Sequence, residues 1–325
     1  MREGRLAEPI FKRSVMRQLK SVGKAADGII NLPEGALLST AVCSYTINAK
    51  KSIWFVINAA VNKLAVTGAT PMAIALSVFL PEELEEKDLK EMMCTVNETC
   101  THLHIDVTDI DAEVSSAVKK PIFTVTAYGS VMPADLIKKG GAIAGQDIVV
   151  TKSIGLEGVA LLSEEYEEKL LKRYTESFIY QAQSFANYAS ILREVAVAIT
   201  HGATAMHVIG QGGILAALWE LAGASKVGLS VDLKHIPIKQ ETVEICEFFG
   251  YNPYQLMSTG SLIVTTNDGF GLVRKLEAEG ISASVIGKIT DSNDKVIIRD
   301  DETRYIDLPG MDEIFSVKQR AKPLQ

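Results

Sequence analysis

The sequence predicts an α/β protein of two domains, and three observations support this prediction. The chain has 325 residues, more than a single hydrophobic core usually supports. Apolar runs of strand length alternate with amphipathic stretches of helical period, as in sheets covered by helices. A polar, Gly-rich segment at residues 138–145 divides two such series. We therefore expect an N-terminal domain at residues 1–140 and a C-terminal domain at residues 141–325.

The first half opens with apolar residues at helical spacing, which predict a surface helix over residues 4–20. Its apolar stripe consists of Ile10, Val15, Met16 and Leu19. The remaining patterns predict extended segments around a turn at 33–35, a helix from about Ile57 to Gly68, a strand over 72–81, a helix over 81–103, an alternating strand that includes His102 and His104, and a strand over 121–131.

The second half begins with a strand over 147–151, a Gly-rich turn and a helix. A long run of helix formers from Glu164 to Thr200 predicts a helix that is capped at His201 and Gly202. The patterns then predict a Gly-rich turn, a helix through 215–221, a strand that ends near Leu233, and a strand-turn-helix-strand unit over 261–289. Such a unit is typical of ferredoxin-like α/β layers, so we expect a C-terminal domain derived from that arrangement.

Composition excludes several classes of protein. Forty acidic and 33 basic residues, without long runs of either sign, argue against a nucleic-acid partner. Cys43, Cys94, Cys100 and Cys246 form no CxxC pair, so we expect reduced thiols in a cytoplasmic protein without a signal peptide. The uncharged stretch at 64–81 is interrupted by Gly and Pro, which indicates a buried helix end, turn and strand. We expect no membrane span.

The segment 54–71 reads WFVINAAVNKLAVTGATP and contains the run Ala-Val-Asn-x-Leu-Ala-x-x-Gly-Ala-x-Pro. This run resembles the nucleotide-site helix of the PurM/HypE superfamily, the AIR synthase-related ATP-binding proteins. Five other blocks resemble HypE-like sequences in the same order: GRLAEPIFKRSVMRQL, DAEVSSAVKKPIFTVTAYGSV, TKSIGLEGVALLSEE, the stretch that starts MHVIGQGGILAALWELAG, and VEICEFFGYNPYQLMSTGSLIV. The resemblance implies a two-domain PurM-like fold, a homodimer formed by the N-terminal domain, and an ATP site with Mg²⁺.

The chain departs from the family at most of the carboxylates that hold Mg-ATP. Lys63 follows Asn62 where relatives have Asp, and Ser39 or a neighbour replaces another Asp. The family's Gly-Gly-His-Thr-Glu-Val corresponds to residues 109–114, its Asp-Pro-Thr-x-Gly-Gly to residues 208–213, and the Glu of a later Glu-Gly pair to Thr259. HypE proteins end in a Cys that receives a carbamoyl group, whereas this sequence ends KQRAKPLQ. The glycines and Glu113 are retained, but most of the carboxylates that hold Mg-ATP in the family are replaced.

Residues of this chain could replace the missing ligands. Asp109, Asp111 and Glu113 alternate on an extended segment and would share one face. With Asp106 they form an acidic stretch in which Asp106, Asp109 and Asp111 are candidate metal ligands. Lys63 could supply the positive charge that Mg²⁺ brings to a phosphate. The alternative is that these are solvated acids and a surface lysine.

Two further groups carry open alternatives. Gly210, Gly212 and Gly213 precede a helix, where backbone N–H groups could cradle a phosphate or where the glycines could allow tight helix packing. His102, His104 and Asp106 formally provide a transition-metal trio, although a half-buried strand explains their spacing better. No sequence signature of a catalytic triad accompanies the five histidines.

The predicted function is that of a HypE-like protein binding ATP or another phosphorylated small molecule. We expect altered dependence on Mg²⁺ and weak or absent phosphoryl transfer, with Asn62, Lys63, Asp111, Glu113 and the three glycines as ligand-binding residues. The alternative is a non-catalytic homodimeric scaffold that binds a partner protein in hydrogenase-type metalloenzyme maturation. A kinase of the thiamine-phosphate type would fit the fold but not the altered Mg²⁺ ligands.

Overall fold

The computed structural model describes residues 3–19, 28–47, 51–299 and 302–316. The chain forms two compact units. The first comprises Met1–Ala65 and Ala69–Leu136, and the second comprises Val66–Gly68 and Ile137–Gln325. The division after Leu136 lies a few residues before the boundary that we placed at 140. The two units correspond to the two sheets of the mixed α/β fold that the sequence predicts.

Unit 1 contains a five-stranded sheet. Its strands are β1 (Gly4–Arg5), β2 (Leu37–Tyr45), β3 (Thr70–Leu80), β4 (Asp106–Val114) and β5 (Ile122–Val131). They lie in the order β1-β4-β3-β5-β2. Only the β3–β4 pair is parallel among these neighbours. The parallel pair needs a crossover connection, which the helix at Glu86–Leu103 provides.

Two helices of unit 1 pack apolar residues against the rest of the unit. Helix α2 (Ser52–Ala65) buries most of its residues, and helix α3 (Glu86–Leu103) buries one stripe. That stripe is Leu89, Met93, Val96, Cys100 and Leu103, a helical period that continues to the last residue. A capping box between Glu85 and Asp88 begins α3.

The prediction of a β-alternating run at residues 102–108 was therefore wrong in its first half. His102 belongs to α3, and His104 ends the helix in the left-handed conformation with φ 56°. The His102 ring lies 5.5 Å from that of Trp54. Because both histidines precede β4, which starts only at Asp106, they do not share a strand face with Asp106.

The opening segment is less regular than predicted. Residues 4 and 5 form β1 beside β4. A short helix α1 (Glu8–Ile10) then continues as a π-helical turn, Phe11–Val15, and a 3-10 turn, Met16–Gln18. Val15 and Leu19 of the predicted stripe are buried, whereas Met16 is 38% exposed. The change in helical period at each turn rotates the stripe, so a single regular helix does not describe it.

Unit 2 contains a seven-stranded sheet in the order β12-β11-β8-β10-β6-β9-β7. Its strands are β6 (Asp147–Thr151), β7 (Ala205–Ile209), β8 (Gly228–Asp232), β9 (Ser261–Thr266), β10 (Ala283–Thr290), β11 (Lys295–Arg299) and β12 (Glu302–Tyr305). Strands β6 and β9 are buried throughout. They lie at the centre of a hydrophobic core that also includes residues of the helix at Gly213–Ser225. Members of this core are Ile148, Ile263, Leu218, Leu221 and Ile286.

The helices of unit 2 are α4 (Leu156–Glu165), α5 (Glu167–Leu170), α6 (Glu176–Gln183), α7 (Leu192–Thr200), α8 (Gly213–Ser225), α9 (Gln240–Phe249) and α10 (Gly269–Ala278). The long helix predicted over 164–200 is instead divided into several pieces. Thr175 starts one of them by accepting a hydrogen bond from Phe178 N–H, an N-cap that helix-former composition did not reveal. The predicted cap at His201 is confirmed. Within the described ranges, no helix combines the length and hydrophobicity that crossing a bilayer requires.

Candidate functional site

One face of the unit 1 sheet is open. Alternate residues are buried along β5, from Ile74 to Leu80 on β3, and at Cys43 and Tyr45 on β2. The residues between them are partly or fully exposed. The open side carries hydroxyl and apolar groups, and the Ser44 and Thr124 hydroxyls lie 3.0 Å apart there. Leu38 and Val42 on β2 are 53% and 54% exposed, and Phe79 on β3 is 38% exposed. The open face thus carries both apolar and polar side chains.

The predicted acids lie on this open face. In register with β3, Asp109 pairs with Ala75, Asp111 with Ser77 and Glu113 with Phe79. The three acids are exposed, while the residues between them are at least partly buried. Their predicted alternation on a strand is therefore confirmed.

A bulge brings Asp106 to the same side. Asp106 pairs with Ala73 and Asp109 with Ala75, so three steps on β4 match two on β3. The extra residue is absorbed around Thr108, whose hydroxyl donates to the Ile74 carbonyl over 3.0 Å. Since partners two apart on β3 point to one face, Asp106 joins the row of acids.

The row is too extended for one ion to contact three acids. Side chains two positions apart on a strand are separated by roughly 6.6 Å along it, whereas Ca²⁺ and Mg²⁺ bind oxygen at about 2.0–2.6 Å. Accordingly, no group of three His, Cys, Asp or Glu side chains in the described ranges could hold a metal ion. A metal site at Asp106, Asp109 and Asp111 stays a prediction, and one chain alone does not provide it.

Asn62 and Lys63 have different surroundings. Asn62 is 1% exposed within the buried face of α2, whereas Lys63 is exposed. Successive residues of a helix do not face the same side. The structure thus separates the two side chains that the sequence grouped as ligand-binding residues. Asn58, one turn before Asn62, is fully buried and its side-chain oxygen lacks a hydrogen-bond partner among the described residues.

In unit 2 the three predicted glycines form the turn between β7 and α8. Gly212 and Gly213 have φ angles of 81° and 65°, values that favour glycine. A Cβ on Gly213 would lie 2.4 Å from the Tyr254 carbonyl oxygen. This close approach supports the packing interpretation of that glycine.

Two N–H groups of the turn already have acceptors. Gly213 N–H donates to the Gly210 carbonyl over 3.2 Å. Gly212 N–H donates to a carboxylate oxygen of Asp312 over 2.6 Å. The chain's own carboxylate therefore occupies a position where a phosphate oxygen would bind, and a phosphate at Gly212 would have to displace Asp312.

Asp312 connects three segments of unit 2. Its carboxylate also accepts from Ile314 N–H over 3.0 Å and from the Met257 backbone. The side chain is 3% exposed. Burial raises the pKa of Asp312 to about 6 although the three N–H groups act in the opposite direction.

Glu157 is a second buried acid in this unit, in the first turn of α4. It is fully buried and accepts a hydrogen bond from Thr259 N–H over 3.1 Å. Burial raises the pKa of Glu157 to about 8, with the negative charge of Asp312 adding to the shift. The surroundings of Glu157 therefore favour its neutral form.

The sequence did not reveal the buried positions of Glu157 and Asp312. Glu157 lies in a block that resembles the family, but nothing local shows that its carboxyl group is buried. Asp312 meets Gly212 across a hundred residues of sequence. A helix-start pattern at Asp312, which caps the 3-10 turn Glu313–Phe315, was the only signal available for it.

Unit 1 also contains a shallow cleft of about 600 Å³ beyond the ends of β3 and β4. Residues 81–84 and 118–121 border it, together with Asp88 and Ser116. Its lining includes none of the predicted ligand residues. The cleft and the row of acids are therefore separate features of the unit.

Comparison with known proteins places both units in one family. The N-terminal domain of AIR synthase related proteins matches residues 37–131, and their C-terminal domain matches residues 144–300. A putative hydrogenase expression/formation protein of Methanocaldococcus jannaschii is 29% identical over 275 residues, which are 79% of this chain and 76% of the relative. The carbamoyl dehydratase HypE of Rhizobium leguminosarum is 24% identical over 72% of this chain and 66% of its own length.

Solved structures share the fold. HypE in complex with ATP has a TM-score of 0.78 at 18% identity, covering 94% of this chain and 95% of that one. HypE in a HypE–HypF complex has a TM-score of 0.73 at 19% identity, covering 86% and 92%. A thiamine-monophosphate kinase of Stenotrophomonas maltophilia has a TM-score of 0.69 at 18% identity, covering 84% and 88%. The chain belongs to the AIR synthase-related family and is a HypE-like member of it, with the PurM-like two-domain fold.

Proposed function

We propose that this protein is a HypE-like maturation protein that binds ATP or another phosphorylated small molecule and self-associates through the open face of its N-terminal sheet. Its dependence on Mg²⁺ is altered and its phosphoryl transfer is weak or absent. The observation that carries the proposal is the row of exposed acids on β4, which adjoins hydroxyl and apolar groups on that face. The solved HypE–ATP complex supports the nucleotide as ligand.

The spacing of the acids suits a metal held partly by the ligand. Mg²⁺ in nucleotide sites is usually bound by one or two carboxylates, while phosphate oxygens and water complete its coordination. Asp109 and Asp111 are neighbours on the open face and could each contribute one oxygen. Three carboxylates around one ion are then unnecessary.

Calorimetric titration with ATP, with and without Mg²⁺, tests this proposal. We expect binding that strengthens with Mg²⁺ and weakens by about tenfold or more in Asp111→Asn, because an amide oxygen is a poorer ligand for a hard cation. Asp135→Asn is the matched control, since Asp135 is an exposed acid of unit 1 outside the row. Full Mg²⁺-dependent binding by a folded Asp111→Asn protein would exclude Asp111 as a ligand.

A non-catalytic scaffold is the second candidate function. Two observations favour it. Lys63 is exposed at the position where the family resemblance implies a carboxylate, and Asp312 already accepts the hydrogen bond of the Gly212 N–H group. The solved HypE–HypF complex supports a maturation protein as the partner. Absence of any heat with ATP or Mg-ATP, in a folded and self-associated protein that still binds a HypF-type partner, would establish this alternative over the first.

A further inference from the structure

Lys152 follows the central strand β6 and is enclosed in unit 2. Its side chain is 13% exposed, and its backbone has φ 56°. A residue with a Cβ adopts this left-handed conformation at a cost, and surrounding interactions have to offset it. Burial lowers the pKa of Lys152 from its ordinary value, although the neighbouring carboxylate of Glu194 opposes the shift.

Four oxygen atoms surround the ammonium group. Lys152 Nζ donates to the carbonyl oxygens of Tyr188, Ser190 and Gly260 at 2.9, 2.7 and 2.9 Å. The Glu194 carboxylate lies 2.5 Å away and is itself 3% exposed. An ammonium group has only three N–H donors, whereas four oxygens lie around it. The arrangement therefore resembles the coordination shell of an ion more than a set of single hydrogen bonds.

These four oxygens, which we call the cage, come from segments that are distant in sequence. Gly260 precedes β9, Glu194 lies in the first turn of α7, and residues 188–190 connect α7 to the helices before it. A Cβ on Gly260 would lie 2.2 Å from the Tyr188 carbonyl oxygen. The backbones of Tyr188 and Gly260 therefore lie too close together for a side chain at position 260.

The oxygen atoms form the donor set of a metal site. Backbone carbonyl oxygens replace the hydration shell of K⁺ in proteins, and carboxylates are ligands for hard cations. The distances to Nζ exceed the 2.3–2.6 Å typical of Ca²⁺, except for that to Glu194. One carboxylate offsets one positive charge. The geometry and charge thus match a monovalent cation rather than a divalent one.

We propose that this cage is a monovalent-cation site of the potassium and ammonium class, which the Lys152 side chain occupies from within the chain. The tethered cation fixes Gly260 and, through it, the adjacent Thr259, whose N–H group holds Glu157. The inference is independent of the proposed nucleotide function, since none of the four oxygen atoms belongs to a proposed ligand-binding residue.

Lys152→Gly tests the proposal by emptying the cage. Glycine suits the φ of this position, so the change removes the ammonium group without adding backbone strain. Thermal unfolding is measured in choline, potassium, ammonium and lithium chlorides at equal ionic strength. We expect the variant to melt below wild type in choline and to recover with K⁺ or NH₄⁺ in a saturable way, because a bound ion stabilises the folded state by mass action. Wild type should show no saturable stabilisation that is specific to K⁺ or NH₄⁺.

Two controls separate the cage from a general salt effect. Lys152→Met fills the cage with an apolar side chain and should show no recovery specific to K⁺ or NH₄⁺. In Lys152→Gly combined with Glu194→Gln, recovery should need about tenfold more K⁺, since an amide no longer offsets the charge. An anomalous signal from Rb⁺ at the cage in crystals of Lys152→Gly would locate the ion.

The proposal fails if Lys152→Gly melts at one temperature in every salt. It also fails if that variant cannot be refolded in any of them, or if Lys152→Met recovers equally with K⁺. In each case the four oxygens bind only the lysine ammonium and do not form a cation site.

Discussion

Glu157 is a carboxyl group in surroundings that disfavour its charge. Because its pKa in the folded protein, about 8, lies above the ordinary value of 4.5, the folded state binds the proton more tightly than the unfolded chain does. This contribution to stability is fully present below about pH 4.5 and is lost as the pH rises through about 8. Asp312, with a pKa of about 6, contributes in the same direction at lower pH.

Glu157→Gln should therefore flatten the pH dependence of stability. The amide keeps the shape of the neutral acid and cannot ionise, so the variant should be more stable than wild type at pH 9 by a few kcal/mol. Urea unfolding at pH 5, 7 and 9 measures this difference. Glu165→Gln, at the exposed end of the same helix, should follow the wild-type curve. An unchanged decline in Glu157→Gln would show that Glu157 is already ionised in the folded protein.

Asp312→Asn tests whether the glycine turn belongs to the ligand site. The amide oxygen can still accept from Ile314 N–H, but the negative charge beside Gly212 is removed. If phosphate binds this turn, ATP should bind several-fold more tightly, because the ligand no longer competes with a carboxylate. Calorimetry measures the change, with Asp307→Asn on the same segment as an exposed control. Equal affinity would leave Gly210, Gly212 and Gly213 with a packing role alone.

At the scale of elements, hydrophobic period and caps made most of the strands predictable. The run at 72–81 became β3, and the alternation of Asp109, Asp111 and Glu113 became one face of β4. One error arose where a helical period and an alternating pattern overlapped in the sequence. The helical stripe of α3 extends through Leu103, so the apparent alternation at His102 and His104 was a coincidence of spacing. Contacts such as that between Gly212 and Asp312 depend on the whole fold and have no local signal.

The turn before α8 offers a direct test of glycine packing. Gly213→Ala would place a methyl group 2.4 Å from the Tyr254 carbonyl oxygen at a φ of 65°, so we expect destabilisation of about 2–4 kcal/mol from overpacking and backbone strain. Gly223→Ala lies in the same helix with open space around its Cβ and should be neutral or stabilising by up to about 1 kcal/mol. Chemical denaturation of both variants measures these changes in the free energy of unfolding. Equal stabilities would show that the turn at residues 253–255 moves away from the added methyl group without a cost in stability.

At the scale of the whole molecule, the composition of the open sheet face is consistent with the self-association that we propose. The β4 acids are exposed, Phe79 pairs with Glu113 next to them, and Val42 is exposed on the same face at the opposite edge strand β2. Within the described ranges, no three acids, histidines or cysteines could hold a metal ion together. Apolar groups on one sheet face are usually covered in the functional state. A second copy of the chain would cover this face and add its own row of acids.

Val42→Glu tests this link between self-association and ligand binding. A charge on the open face should oppose the pairing of two copies, because burying an unpaired carboxylate is costly. We expect a monomer in sedimentation equilibrium and a parallel loss of Mg-ATP binding, although every acid of β4 is retained. Val243→Glu is the matched control, since Val243 lies on α9 of unit 2 and is 43% exposed. A Val42→Glu monomer that binds Mg-ATP as wild type does would show that one chain forms the complete site. A Val42→Glu protein that still self-associates would instead place the contact on another surface.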